Sequence, residues 1–378
     1  MKKILFVIFL AVFLAILIAE TAIRLTDIPG IDKNIYYTID PLMGYGYIPY
    51  AKLYYCNARG DVVRRNFNAF GYLDRGHKKE KDAGVYRIGF FGDSYVEARQ
   101  VGLEHTFFRI IENELKDYNV ECLAFGRESA GTLIAYLDST RWSPYFDIDL
   151  IIYVFCENDP GDNIKEIKEK TAPYFPFAYL APNGYKIDYS NRDKFIRLSK
   201  TSRYKIRKYL SNRLLLTRVI KNRIALLMNY GIKFKVNQED RNMATKSKSK
   251  SIVPDQNDLP STWPGPLKEY AEELASAIIL KWTGEAQAGS KNFAILYVPR
   301  QTEMQKETHL QDSWKVWLES FCGNNNTAFI DPTRDLIKME SADKKVFYDH
   351  FTIHGHRAFS DAFIGWFKKE FSINKSIL

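Results

Sequence analysis

The sequence has little of what marks metal, redox or nucleotide chemistry. Its 378 residues include only four cysteines, Cys56, Cys122, Cys156 and Cys322, widely spaced and without a Cys-x-x-Cys pair. That spacing gives no zinc module and no thioredoxin-like motif. No phosphate-binding glycine loop, no metal-ligand cluster and no internal repeat can be found. The formal net charge is +9, yet much of the excess lies in one stretch, Lys194 to Lys250. No zinc finger or other nucleic-acid signature accompanies it, so no nucleic-acid partner is expected. The stretch reads as a solvated insertion surface, with a surface for anionic polymers or lipid headgroups as the sharper alternative. Cys122 and Cys156 fall in or beside apolar runs and read as small core residues. A disulfide remains open to a chain outside the cytoplasm, with no pairing readable.

Only one long apolar run is present, Ile4 to Ala19, preceded by Lys2-Lys3 and followed by Glu20. At about 16 residues it is near the lower limit for a membrane span, and lysine snorkelling with Thr21-Ala22 extends it. A small-x-small cleavage site is missing, because Leu17 stands three residues before Ala19-Glu20, and no lipobox cysteine follows. The segment reads as an uncleaved signal anchor over 1–24, with a cleaved signal peptide as the alternative. Lysines ahead of the run keep the start of the chain inside, so the rest is expected outside the cytoplasm, membrane-anchored and periplasmic or at the cell surface.

Residues 25–84 read as an extension of short strands and turns, with a turn over Asn68-Ala69-Phe70-Gly71-Tyr72. From Val85 the pattern alternates. Strands are expected over Val85–Phe91, Val120–Phe125 and Leu150–Phe155, and helices over Phe107–Leu115 and Leu133–Arg141. Leu150–Phe155 is apolar at almost every position, as a strand buried on both faces should be. The alternation predicts an α/β fold, a three-layer doubly wound parallel sheet of flavodoxin-like type, over 85–371. It is interrupted by an insert over 164–265 with a helix around Ser202–Met228 and a disordered loop from Lys246 to Pro260. It resumes with helices over Leu267–Lys281, Trp314–Phe321 and Gly355–Phe371 and strands over Phe293–Val298 and Ala328–Ile330.

Three strand ends carry chemistry. The first strand runs into Gly92-Asp93-Ser94-Tyr95. There a serine hydroxyl can stand at the carboxyl edge of the sheet, where open α/β folds collect ligands. Alone, Ser94 reads more readily as a helix cap, with Asp93 capping or bracing the turn. No Gly-x-Ser-x-Gly elbow surrounds it, which argues against the α/β-hydrolase fold. The second end is Gly126-Arg127-Glu128-Ser129-Ala130-Gly131-Thr132, a small-residue turn able to offer backbone N–H groups to an oxyanion. The third is Cys156-Glu157-Asn158-Asp159, where a side-chain amide can donate to the same oxyanion or serve only as a turn residue. Near the C-terminus Asp349-His350-Phe351-Thr352-Ile353-His354-Gly355-His356 holds three of the six histidines. Glu97 and Arg99 read as solvated helix positions.

Together these blocks resemble the SGNH (GDSL-type) hydrolase family. Gly92-Asp93-Ser94 resembles its first block. Ser129 stands where the second block usually has glycine, and Gly131-Thr132 keep that block's ending. Cys156-Glu157-Asn158-Asp159 is similar to the third block with Cys for Gly, and His350-Phe351-Thr352-x-x-Gly355-His356 to the last. The resemblance covers 85–160 and 290–371. It implies Ser94 as nucleophile and His350 as general base. It implies an oxyanion hole from Ser94 N–H, Ser129 N–H and the Asn158 amide, supported by Asp93, Gly131 and Asp159. It implies no metal and no cofactor. Serine at 129 is harmless to that hole provided its φ is not positive. The family's acid, three residues before the histidine, is replaced by Phe347. Either Asp349 orients the imidazole or a backbone carbonyl does, leaving a dyad. His354 and His356 are weaker bases, and His356 reads as a polar residue at a helix start.

The implied reaction is acyl transfer through an acyl-serine: a serine esterase with water as acceptor, an O-acyltransferase with a sugar hydroxyl. Anchoring outside the cytoplasm suggests an acylated cell-envelope glycan as partner, acetyl esters foremost, and a membrane acyltransferase as a possible companion. The alternatives are a lipase or lysophospholipase-type esterase and a catalytically silent glycan-binding or assembly protein. Turnover of an acetyl ester separates the last of these from the enzymes.

Overall fold

The computed structural model describes residues 2–28, 34–56, 60–220, 223–224, 265–300, 304, 314–342, 344–348 and 350–373. The expected disordered loop from Lys246 to Pro260 lies outside them. The chain begins with helix α1 (Lys2–Leu25), a span long and apolar enough to cross a membrane. Two antiparallel hairpins follow, β1 (Tyr37–Thr38) with β2 (Gly46–Tyr47) and β3 (Lys52–Cys56) with β4 (Val62–Asn66).

The central sheet is built by β5 (Tyr86–Gly92), β6 (Val120–Gly126), β7 (Leu150–Phe155), and two later strands, Asn292–Tyr297 and Ala328–Ile330. All pair in parallel, in the spatial order β6-β5-β7 and then those two. By sequence rank that is 2-1-3-4-5, the flavodoxin-like doubly wound order, whose switch point lies between β5 and β7. The fold expected from the alternation, and implied by the SGNH-type resemblance, is thus the one observed.

Strand periodicity explains the three layers. In β7, Leu150, Ile152 and Val154 enter one core and Ile151, Tyr153 and Phe155 the other. The first core is closed by α2 (Ser94–Glu97), α3 (Phe107–Glu114) and the C-terminal helix Ile353–Ile373 through Val96, Phe107, Ile111, Phe359, Phe363 and Phe367. The second is closed by α4 (Thr132–Tyr145) and the helices Gly265–Ala288 and Trp314–Asn324 through Leu133, Leu274, Ile278, Trp282 and Leu318. Both faces being covered, alternation of polar and apolar residues along β7 has no purpose, which is why its sequence is uniformly apolar.

After β7 comes α5 (Asp159–Asp162), and within the insert α6 (Lys165–Lys168) precedes a hairpin, β8 (Phe177–Ala181) with β9 (Gly184–Asp188), and α7 (Ser190–Ser199). These had no sequence expectation, and neither did helix Thr333–Ser341. Where a single helix is expected over Ser202–Met228, the described residues give α8 (Ser202–Arg213), a break at extended Leu214, and a helical stretch over 215–220, while 221–222 and 225–228 lie outside them. The break has a physical cause. The Glu20 carboxylate at the end of α1 accepts the N–H groups of Leu215 and Leu216 at 2.9 and 2.8 Å, satisfying donors that a continuous helix would have bonded internally. All four cysteines are buried free thiols.

Candidate active site

The Asp93-Ser94 turn begins where β5 ends. Asp93, not Ser94, caps α2: its Oδ1 accepts Tyr95 N–H at 2.9 Å. That leaves the serine hydroxyl available, and Ser94 Oγ lies 2.8 Å from His350 Nε2, a residue 256 positions later. Gly126, at the end of β6, permits the close approach of α2. A Cβ there would lie 2.0 Å from Glu97 N. Gly131 does the same for α5, since its Cβ would come within 2.8 Å of Asp159 O.

Ser94, Ser129, Asn158 and His350 line one cleft of about 550 Å³, at the carboxyl ends of the strands beside the switch point. Asn158 is held from both sides. Its Oδ1 accepts the Cys156 thiol at 2.7 Å, and its Nδ2 donates to Asp162 Oδ2 at 3.0 Å. One of the two amide hydrogens is thus engaged and the other remains for a ligand. Ser129 departs from the expectation: its φ is +61°, so the provision placed on a serine there is not met. The backbone still takes the glycine-favouring conformation, and serine bears a strain of about 1 kcal/mol for it. The N–H survives.

Beneath the cleft, Asp93, Cys156 and Asp159 offer ligand atoms within 4.8 Å of one another, all buried. Sequence spacing gave no sign of this. The three could reach a single cation, but each already has a partner. The Cys156 thiol lies 3.0 Å from Asp93 Oδ2, and Asp159 Oδ2 accepts Tyr153 O–H and Cys156 N–H at 2.7 and 3.1 Å. Burial first, and the neighbouring carboxylates after it, push both the thiol and the Asp159 carboxyl well above their ordinary values. Those shifts disfavour the anionic forms a cation would need, and the hydrogen bonds already occupy the three groups in a network of their own.

The largest correction concerns Glu97 and Arg99, expected in solvent. Both are buried, at 1% and 6% exposure. Arg99 Nη2 bridges Glu97 Oε1 at 2.7 Å and Glu128 Oε2 at 2.9 Å. Tyr37 O–H donates to the same Glu128 oxygen at 3.1 Å. Tyr36, Tyr45, Tyr47 and Phe67 pack ring to ring around this group and bring residues 34–56 and 60–67 to the cleft. Two buried arginines fasten that segment. Arg65 donates to the Glu97 and Ala98 carbonyls at the end of α2, and Arg127 to the Tyr45 carbonyl and to Asp138. Tyr37, Tyr55, Arg99 and Glu128 line the cleft, and so does Lys168 of the insert, paired with Asp162 at 2.8 Å. Sequence reasoning missed all five. The density of tyrosine between 36 and 55 was the one available signal.

Phe347 is buried and bridges Phe351, so no acid stands three residues before the histidine. Asp349 lies outside the described residues. His356 sits in the first turn of the last helix, as expected. It is buried, accepts Phe107 N–H at 3.3 Å, and burial holds it down to about 3, too low for a base at neutral pH.

No family model matches the chain, and no curated protein is detectably similar in sequence. Solved structures similar to it include an acetyl xylan esterase at 12% identity and TM-score 0.38, covering 74% of this chain and 98% of that one. Another is a member of the lipolytic G-D-S-L family from Veillonella parvula, at 11% and 0.38, covering 75% and 98%. A third is a catalytic mutant of an acetylxylan esterase from Geobacillus stearothermophilus, at 10% and 0.36, covering 76% and 95%. Likenesses this distant assign no residue a role here.

Proposed function

We propose that this protein is a serine-dependent acyl-ester enzyme, an esterase or O-acyltransferase, working on acyl groups, acetyl foremost, of a cell-envelope glycan. One observation carries the reading: Ser94 Oγ and His350 Nε2 meet at 2.8 Å in a cleft at the sheet's carboxyl edge. In the proposed cycle Ser94 Oγ attacks the ester carbonyl carbon while His350 Nε2 takes its proton. The tetrahedral oxyanion is held by the N–H groups of Ser94 and Ser129 and the remaining Asn158 amide hydrogen. Collapse breaks the ester C–O bond, and the leaving alkoxide recovers the proton from His350. Water or a sugar hydroxyl then attacks the acyl-serine, with His350 again as base, and Ser94 is restored. Asp349 is the acid assigned to orient the imidazole.

The polar lining favours a hydroxyl-rich substrate over an acyl chain. Tyrosine rings, Arg99, Glu128 and Lys168 offer stacking faces, donors and an acceptor, whereas a lipase needs a long apolar channel. The anchor α1 favours an envelope substrate, with the body outside the cytoplasm and a membrane acyltransferase as a possible source of acyl groups. The test is release of p-nitrophenol from its acetate by the full chain. Turnover is expected in the parent and loss to background in Ser94→Ala. Equal rates in both would remove the serine mechanism. Acetylated and unacetylated glycan, supplied as competing substrate and acceptor, then separate hydrolysis from transfer by product mass.

A further inference from the structure

Outside the cleft, α8 presents a surface that the proposed chemistry does not use. Ile206, Tyr209 and Leu210 stand at i, i+3 and i+4, hence on one helical face. All three face solvent, at 59, 59 and 51% exposure. Arg203, Lys205 and Arg207 are exposed around them. The opposite face is the one turned to the protein: the Tyr204 ring meets Phe195, and Lys208 Nζ donates to the Tyr37 carbonyl at 3.5 Å. A helix covering a water-soluble body turns its apolar stripe inward; this one turns it out.

Two observations say what covers it. The first is continuity with α1. The chain leaves α8 at Leu214, and the next two residues are bonded to Glu20, in the last turns of the apolar helix. The α8 ridge is therefore close in sequence and by direct bonding to the point where α1 ends. The second is charge. An apolar ridge flanked by basic side chains is complementary to an anionic bilayer surface, with stems and rings among upper acyl chains and cations on phosphates. Leu198 on α7 and Ile220 beyond the break, both about half exposed, extend the same apolar character.

We propose that α8 lies in the headgroup region of the bilayer that α1 enters, its Ile206-Tyr209-Leu210 ridge in the lipid and Arg203, Lys205 and Arg207 on anionic phospholipid. This is independent of the ester chemistry and stands or falls separately. The four native cysteines are buried, so a bimane fluorophore can be placed at Leu210→Cys in the full chain. The chain is reconstituted in vesicles of phosphatidylcholine, alone or mixed with phosphatidylglycerol. In mixed vesicles, quenching by acrylamide is expected to fall at least about threefold relative to phosphatidylcholine, and a shallow lipid-borne nitroxide should quench the label. Arg203→Glu/Lys205→Glu/Arg207→Glu should restore acrylamide access, and added salt should do so in the parent without any substitution. Equal acrylamide access in both vesicles would overturn the proposal. So would protection that ignores lipid charge and salt, or that rises only with protein density, which would assign the ridge to a second copy of the chain.

Discussion

The cleft has a floor and a wall, and they hold polar groups in opposite ways. The floor is the set of strand ends: Asp93-Ser94, Ser129, Cys156 to Asp159, and His350. Apart from His350, its groups follow β5, β6 and β7, and its buried acids and thiol are joined in one hydrogen-bonded network. The wall is Glu97, Arg99 and Glu128 under a sheet of tyrosine rings. Its carboxylates both meet the Arg99 guanidinium, and its partners lie far apart in sequence, 91 residues in the case of Tyr37 and Glu128. The floor is thus fixed by where strands stop, and the wall by what happens to be folded over it. Damage to the floor should appear in the rate of the chemical step, and damage to the wall in stability.

The largest effect belongs to the floor. His350→Ala should lower kcat for an acetyl ester by at least about 10⁴-fold, and the double variant with Ser94→Ala should be no worse than either single one, because the two act as a unit. Steady-state rates on the folded variants check this; additive losses would separate the pair. Next comes the wall. Arg99→Met leaves Glu97 buried beside Glu128 without its cation, and should cost about 3–5 kcal/mol in urea unfolding. The pH dependence has a definite sign. Burial, foremost, already raises the Glu97 carboxyl, and loss of Arg99 raises it further. A raised carboxyl favours the fold below its unfolded value and withdraws that support as pH rises, so the deficit should be larger at pH 8 than at pH 5. A pH-independent deficit would mean that Glu97 does not bear the charge.

Asn158→Ala should lower kcat by about 10²–10³-fold with little change in KM, as for loss of one oxyanion donor. A change in KM alone would make Asn158 a ground-state contact. Smaller still is Asp159→Asn. Its carboxyl is raised by burial and then by Asp93, so the parent loses support as pH climbs through and above the ordinary carboxylate range, while asparagine does not titrate. The variant should be more stable by about 1 kcal/mol at pH 8 and equal at pH 4, measured by denaturant midpoints. The smallest effect is Ser129→Gly. Relief of the positive φ slightly exceeds the added freedom of the unfolded chain, for a gain of about 0.5 kcal/mol and unchanged turnover, because the N–H remains.

The same division decides what the sequence could reveal. Val120–Gly126 and Leu150–Phe155 announce themselves as apolar runs, and a polar residue two or three places after such a strand has its position set by the strand. Ser94, Ser129 and Asn158 were legible for that reason, and His350 through its block near the C-terminal helix. Glu97 and Arg99 were not. Two charged residues at the end of a short helix look like surface until tyrosines from 36 to 47 are laid over them, and no local pattern encodes that cover. Serine in place of glycine at 129 hid a left-handed residue that composition cannot show. The interruption of the helix expected over 202–228 depended on a carboxylate from the other end of the chain.

That carboxylate, Glu20, has a further consequence. A body hung on a slack linker sweeps a hemisphere around its anchor, and its local substrate concentration is set by linker length. Here the end of α1 is bonded to Leu215 and Leu216, and Tyr54 donates to Asp27 just beyond it. These bonds make the junction a strut rather than a leash. With α1 in a bilayer, the mouth of the Ser94 cleft would stand at one altitude and one heading. An ester group would then be selected by its height above the lipid as much as by its chemistry.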